Sequence, residues 1–298
     1  MEWKGIRGTI LENVPMKRYT SMRVGGPVKY LLYPVDEGDL TNILEYLIHK
    51  NIPYRFLGNG TNVIVNDKGL NEALIRITKM KRKGYKKTKS GAIADVSGGI
   101  SLKQFIRDNA RHGLSGLENL YWIPGTVGGA LKMNAGSFGA SVSDPLLTMR
   151  VLNAHGHIVT MTRRDASFGY RTSPIRASEC VMNAQFNLKN RDKNEIAKDM
   201  AHVYSERKKR HPMEYPSAGS VFKGVKGEAA WKFIEKAGLK GLKIGGACVS
   251  ERHANFIVNL GSATANDVRT LINTIKREVF EKTGVSLEEE VELWGFNG

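Results

Sequence analysis

The stretch Tyr215 to Lys223, YPSAGSVFK, offers one central hydroxyl, Ser220, set between Gly219 and the β-favouring pair Val221 and Phe222. A serine there could attack a carbonyl or simply close a turn. Attack is not indicated, because the Gly-x-Ser-x-Gly elbow is broken by Phe222 at its second glycine position. The turn reading is the plain one: Pro216 and Gly219 set special backbone angles, and a serine hydroxyl readily bonds nearby backbone groups. Two glycine-rich runs suggest a second chemistry. LGNGTNVIV sets Gly58, Asn59, Gly60, Thr61 and Asn62 between two strand-like segments, a turn able to present backbone N–H groups and short polar side chains to phosphate. It is not the Rossmann fingerprint, since Val63 occupies the third glycine position and no long helical pattern follows. The run from Gly116 to Gly139 places Gly125, Gly128 and Gly129 among small residues, which lets a flat or phosphorylated ligand come close. Together the two runs favour a large nucleotide cofactor. Near the end of the chain, Glu288, Glu290 and Glu292 alternate with Leu287, Glu289, Val291 and Leu293, so an extended strand would align three carboxylates on one face. An ordinary wet strand face is the other reading.

The elements that must hold these residues alternate between helix and strand. Leu40, Ile43, Leu44, Leu47 and Ile48 share a helical face, and Leu102, Phe105, Ile106 and Ala110 share another that stops at Gly113. IPYRFLG, EALIRIT and GAIADVSGG read as strands, and TMRVLNAHGHIVTMT reads as a hairpin turning at His155-Gly156. The segment from Gly116 to Gly139 shows neither period. DKNEIAKDMAHVYSERKKRH is a helix whose cationic end suits the negative pole of its dipole and marks a domain boundary. A helix through Val268, Leu271, Ile272, Ile275 and Val279 precedes a final strand, VSLEEEVELWG. The pattern is α+β, without repeats.

Composition bounds the class of function. At 298 residues and 41% hydrophobic, the chain has room for two domains with real cores. Its two cysteines, Cys180 and Cys248, lie far apart outside any metal-ligand spacing, so buried thiols are expected and no metal site is signalled. The beginning of the sequence lacks the apolar core of a signal peptide and no apolar run is long enough for a bilayer, which makes the cytoplasm the expected compartment. The 45 basic and 29 acidic residues leave +16, a field that attracts anions. Seven cations crowd Lys79 to Lys89, KMKRKGYKKTK; a solvated loop between two strands is favoured over a nucleic-acid patch, since no nucleic-acid-binding signature accompanies it.

Seven segments, in this order, resemble the UDP-N-acetylenolpyruvoylglucosamine reductase family: YTSMRVGGP (19–27), LGNGTNVIV (57–65), IPGTVGGALKMNAGSFG (123–139), FGYR (168–171), PSAGSVFK (216–223), HANFIVN (253–259) and LEEEVELWG (287–295). The resemblance implies an FAD domain of the vanillyl-alcohol-oxidase type with two α+β subdomains, spanning 1–190 with an internal boundary near 80–90, and a smaller α+β substrate domain over 191–298. It places FAD on Gly58, Asn59, Gly60, Thr61, Asn62, Gly125, Thr126, Gly128, Gly129, Asn134 and Gly136. In the family, NADPH reduces the flavin and flavin N5 passes hydride to the enolpyruvyl double bond of a sugar nucleotide. The resemblance makes Arg171 and Glu290 the groups flanking the resulting enolate and Ser220 the proton donor, with Tyr170, Arg210, Lys223 and His253 as substrate contacts. A monomer with small-molecule partners is expected, without nucleic acid or membrane insertion. The chain departs from the family pattern at Glu289, where proline is usual, at Arg210-His211-Pro212, and after Lys223, where Asn-Pro or Arg-Pro is usual. No sizeable insertion follows Arg171, which resembles the compact branch lacking a tyrosine-bearing loop. Two other readings remain: a nucleotide-binding scaffold that has lost the reduction, and a basic nucleic-acid binder.

Overall fold

The computed structural model describes residues 3–296. They form two compact units that interleave along the chain. The first comprises the chain up to Glu12, Tyr30–Asn59 and Glu72–Glu206; the second comprises Asn13–Lys29, Gly60–Asn71 and the chain from Arg207 onward.

Two larger sheets are built mainly from the first unit, which also holds the short pair Gly136–Ser137 and Ala140–Ser141. A four-stranded sheet has the order Thr9–Pro15, Pro27–Tyr33, Leu70–Ile75, Tyr54–Phe56. Helix α1 (Glu37–His49) starts at Asp36, whose carboxylate accepts from the Asp39 N–H, and buries Leu40, Ile43, Leu44 and Leu47 against Tyr30, Leu32, Ala73 and Ile75. The larger sheet runs Ile158–Thr162, Leu146–Leu152, Cys180–Asn190, Gly91–Ser97, Lys83–Lys87, and Leu114–Ser115 also pairs with Cys180–Asn190. Helix α2 (Leu102–Arg111) buries Leu102, Phe105 and Ile106 in the core that this sheet shares with helix α3 (Val127–Lys132). Helix α4 (Lys193–Arg210) closes with four cations in its last turn.

Two expectations are corrected here. The glycine-rich segment is not devoid of regular structure: α3 lies inside it, capped by Thr126. Six residues are too few to show a period, and two of them are glycines, which weaken a helix. The basic run is not a loop. Lys83–Lys87 is an antiparallel edge strand on Gly91–Ser97, with Lys83, Lys86 and Lys87 along its length. Lysines on an edge discourage another chain from pairing there. Tyr85 packs inward and donates to Asn109 Oδ1 at 2.8 Å.

In the second unit the sheet order is Ser217–Ser220, Phe256–Asn259, Ala247–Val249, Lys243–Ile244. Helix α5 (Ala230–Lys236) and helix α6 (Ala265–Thr283) cover it. The latter begins with a Thr264/Asp267 capping box, ends on left-handed Gly284, and buries Val268, Leu271, Ile272, Ile275 and Val279. The expected final strand is shorter than its alternation suggests: only Glu292–Trp294 is extended, paired in parallel with Val63–Val65. Residues 290–291 form a bend, so the three alternating carboxylates do not share a strand face. Glu288 pairs with Lys223, and Glu292 accepts from the Trp294 indole at 2.9 Å. Among the described residues no helix is long and apolar enough to cross a membrane.

Candidate active site

The anticipated site residues divide between the units. Gly58, Asn59, Gly125, Thr126, Gly128, Gly129, Asn134, Gly136, Tyr170 and Arg171 belong to the first; Gly60, Thr61, Asn62, Arg210, Ser220, Lys223, His253 and Glu290 belong to the second.

In the first unit Gly58, Thr126, Gly128 and Gly129 line one pocket with Gly98 and Gly99. Its walls are apolar, from Phe56, Leu57, Ile75, Ile77, Ile175 and Val181, with Lys132 and Glu179 as charged members. The glycines are there for space. A Cβ on Gly58 would stand 2.9 Å from Thr126 Oγ1, and one on Gly128 would stand 3.1 Å from the Gly98 carbonyl oxygen. The α3 amides are occupied: Val127 N–H donates to Ile100 O, Gly128 N–H to Gly98 O, and Gly129 N–H to Thr126 Oγ1 at 3.1 Å. The pocket therefore offers a bare floor and apolar walls rather than a ring of free donors. Such a cradle fits the flat, apolar ring system of FAD and its close approach to the backbone. Gly98 and Gly99 were missed as site residues, although the glycine pair ending GAIADVSGG was the available signal. Cys180 also lines this pocket, with burial pushing its thiol up to about 12, so it contributes shape and no thiolate.

A second cluster in the same unit carries Arg171. The turn Gly169 to Thr172 closes by reciprocal backbone bonds of 3.1 and 3.3 Å, with Arg171 left-handed at φ 55°. That conformation ordinarily favours glycine, so the turn holds strain. Asn134 Nδ2 donates to the Gly169 carbonyl at 2.8 Å and pins the turn, while Asn134 Oδ1 is buried without a hydrogen-bond partner. Gly136 leaves room for Arg171, whose guanidinium would stand 3.4 Å from a Cβ there. Tyr170 is exposed, its ring 5.4 Å from the Arg171 guanidinium carbon.

In the second unit, strand pairing brings Ser220 and Glu290 into one neighbourhood. Ser220 pairs with Phe256 at the end of its strand, after a register shift that takes in left-handed Gly219. The next residues turn to another partner: Glu290 N–H donates to Val221 O at 2.7 Å, Lys223 N–H donates to Glu288 O at 2.9 Å, and Phe222 bridges Glu289. Asn62 reaches the same place, donating its amide to Glu290 O at 3.0 Å, so this amide is engaged within the protein. Gly60 is needed for close packing, since a Cβ would meet Tyr19 O at 2.1 Å. His253 Nδ1 accepts the Asn255 N–H at 3.2 Å. Its ring lies 5.5 Å from that of His211, and burial lowers both imidazoles. Arg210 is exposed at the end of α4. Asn255 was not singled out from sequence; a structural Asn inside a strand motif has no signal of its own.

Comparison with known proteins decides the family. The FAD binding domain family matches residues 28–162, and the UDP-N-acetylenolpyruvoylglucosamine reductase C-terminal domain family matches 211–294. The UDP-N-acetylenolpyruvoylglucosamine reductase of Caldanaerobacter subterraneus subsp. tengcongensis is 40% identical over 289 residues, covering 97% of this chain and 94% of its own. The chain belongs to the UDP-N-acetylenolpyruvoylglucosamine reductase family. The Carboxydothermus hydrogenoformans reductase is 38% identical over 293 residues, 98% of this chain and 96% of that one. The crystal structure of the reductase from Thermus caldophilus matches with TM-score 0.80 at 37% identity, over 97% of this chain and 99% of that one. As a family reductase, the protein is an FAD-containing oxidoreductase of peptidoglycan precursor synthesis acting on a small molecule, and its α+β, FAD-binding architecture agrees with the sequence reading.

Proposed function

We propose that the protein uses NADPH to reduce the enolpyruvyl ether of UDP-N-acetylglucosamine to UDP-N-acetylmuramate, with Ser220 as the proton donor. FAD, when bound, would supply the hydride-transfer chemistry between NADPH and the double bond. Gly58, Asn59, Gly60, Thr61, Asn62, Gly125, Thr126, Gly128, Gly129, Asn134 and Gly136 hold it, within a functional region spanning 1–190; residues 191–298 take the substrate. Arg171 grips the substrate carboxylate with two parallel hydrogen bonds and bears the charge that develops there. Glu290 stabilises the enolate, acting protonated. Ser220 gives its hydroxyl proton to the remaining carbon; a serine is a weak acid, but a carbanion-like centre supplies driving force and a fixed neighbourhood removes reorganisation. Tyr170, Arg210, Lys223 and His253 contact the sugar nucleotide. The protein works as a cytoplasmic monomer.

The observation that supports this reading is the pairing of 221–223 with 288–290, which joins the residue after Ser220 to Glu290 within one unit. The test is anaerobic. NADPH should bleach the bound flavin, and adding the enolpyruvyl sugar nucleotide should restore its absorbance with one lactyl ether formed per flavin. A flavin that stays reduced after substrate is added would defeat the proposal.

A further inference from the structure

The carbonyl of Val221 and the N–H of Lys223 face the 288–290 segment, which leaves the N–H and C=O of Phe222 pointing the opposite way. Phe222 is 1% exposed, so neither group reaches water. The neighbouring strand does not reach them, because it begins at Phe256, which already pairs with Ser220. One side chain takes the place of the missing peptide. Asn255 Oδ1 accepts the Phe222 N–H at 2.9 Å, and Asn255 Nδ2 donates to the Phe222 carbonyl at 2.8 Å. Its own backbone carbonyl accepts the Val221 N–H at 2.8 Å. A carboxamide has the donor and acceptor pair of a peptide unit, and Asn255, itself 6% exposed, presents both to one residue.

We infer that Asn255 is the positioning residue that sets Ser220 against Glu290, an inference that rests on the proton-donor reading of Ser220. Three bonds from Asn255 fix Val221 and Phe222, and Val221 in turn accepts the Glu290 N–H at 2.7 Å. The chain Asn255, Val221 and Phe222, Glu290 thus locks the backbone that follows Ser220 to the backbone of the residue that would face it. Removing the amide leaves two buried backbone groups unpaired and frees this segment to shift. A proton donor tolerates little displacement: misplacement by about 1 Å can cost on the order of 100-fold.

The test compares Asn255→Ala, Ser220→Ala and wild type, each loaded with FAD, in the two half-reactions by stopped flow, together with amide hydrogen exchange over 217–224. Asn255→Ala should leave flavin reduction by NADPH within about twofold of wild type and slow reoxidation by the enolpyruvyl sugar nucleotide about 10–100-fold. Exchange over 217–224 should quicken. Should Asn255→Ala fail to fold, Asn255→Asp keeps the size and the acceptor for Phe222 N–H while opposing an oxygen to Phe222 O, and should show the same split. Equal slowing of both halves, or unchanged exchange, would reduce Asn255 to a structural residue and overturn the inference. If Ser220→Ala collapses reoxidation while neither Asn255 variant slows it, the inference alone fails. If Ser220→Ala reoxidises at the wild-type rate, the donor reading fails and takes this inference with it.

Discussion

Ser220 and Arg171 are held by different means. The segment after Ser220 is braced on two sides, by the 288–290 segment and by the buried Asn255 amide. Arg171 rides on a four-residue turn beside exposed Tyr170, with a left-handed backbone and a side-chain tether from Asn134. The difference follows from the tasks proposed for them. A short hydroxyl must be delivered by its backbone, whereas a long guanidinium can adjust its own reach to a carboxylate. Rigidity is thus placed where the side chain cannot compensate.

The sharpest way to separate the two regions is to empty one. Gly128→Val adds bulk where a first carbon already stands 3.1 Å from Gly98 O and 3.4 Å from Val181 O. We expect purified Gly128→Val to lose all flavin absorbance, while peptides from 217–292 keep wild-type protection against proteolysis, because the core beneath them shares no residue with the pocket. Full flavin occupancy would remove the pocket from consideration as the FAD site.

Next in size is Ser220→Ala. Loss of a positioned acid typically costs about 10²–10⁴-fold, and the loss should appear only when substrate reoxidises the flavin. Reduction by NADPH should stay near wild type. A turn residue would behave otherwise, depressing flavin retention and both halves together, so equal losses would return Ser220 to the plain reading of its sequence.

How far the sequence could carry this depended on whether a residue's partner is local. Helix α1 was legible from Leu40, Ile43, Leu44 and Leu47 because the period of a helix is written in its own residues. The carboxylate row was not legible. Alternation at 288, 290 and 292 is real, but the bend at 290–291 is set by pairing with 221–223 and by Asn62, dozens of residues away or more. The basic run failed similarly, since a strand defined by Gly91–Ser97 looks like a loop when its lysines are read alone. Ser220 itself became a candidate through family motifs, not through spacing. Its bracing by Asn255 joins residues 33 positions apart and leaves no local sequence signal.

Arg171 offers the next smaller effect. Arg171→Lys keeps the charge and loses the planar fork; one charge-assisted hydrogen bond of about 1.5–3 kcal/mol corresponds to about 10–100-fold. That loss should fall on the substrate half-reaction, chiefly in substrate affinity. Arg171→Gly then tests the strain: glycine adopts φ 55° freely, so the melting temperature should not fall although reoxidation does. A marked drop in melting temperature would mean that the guanidinium holds the turn together, and the contrast with Ser220 would lose its basis.

The smallest expected effect concerns His211, on the braced side of the comparison. Its ring packs 4.9 Å from Phe256, the residue paired with Ser220, and 5.5 Å from His253. Burial first, then the charges of Arg207, His253 and Arg210, push its pKa from 6.5 down to about 4; burial lowers His253 as well. A histidine whose folded pKa lies below its unfolded value stays neutral when folded, while the unfolded chain binds a proton below about 6.5. The unfolded state therefore gains protons first, and stability falls as pH drops from about 6.5 towards about 4. Above 6.5 the group contributes no slope. Urea unfolding of wild type and His211→Gln at steps between pH 7 and pH 4 isolates this contribution, because carboxylates elsewhere titrate in both proteins. The wild-type curve should fall more steeply, with the gap opening below pH 6.5 and levelling near pH 4. Parallel curves would show that the imidazole accepts a proton inside the fold, and the brace behind Ser220 would then carry a charge at acidic pH that the neutral packing of His211, His253 and Phe256 excludes.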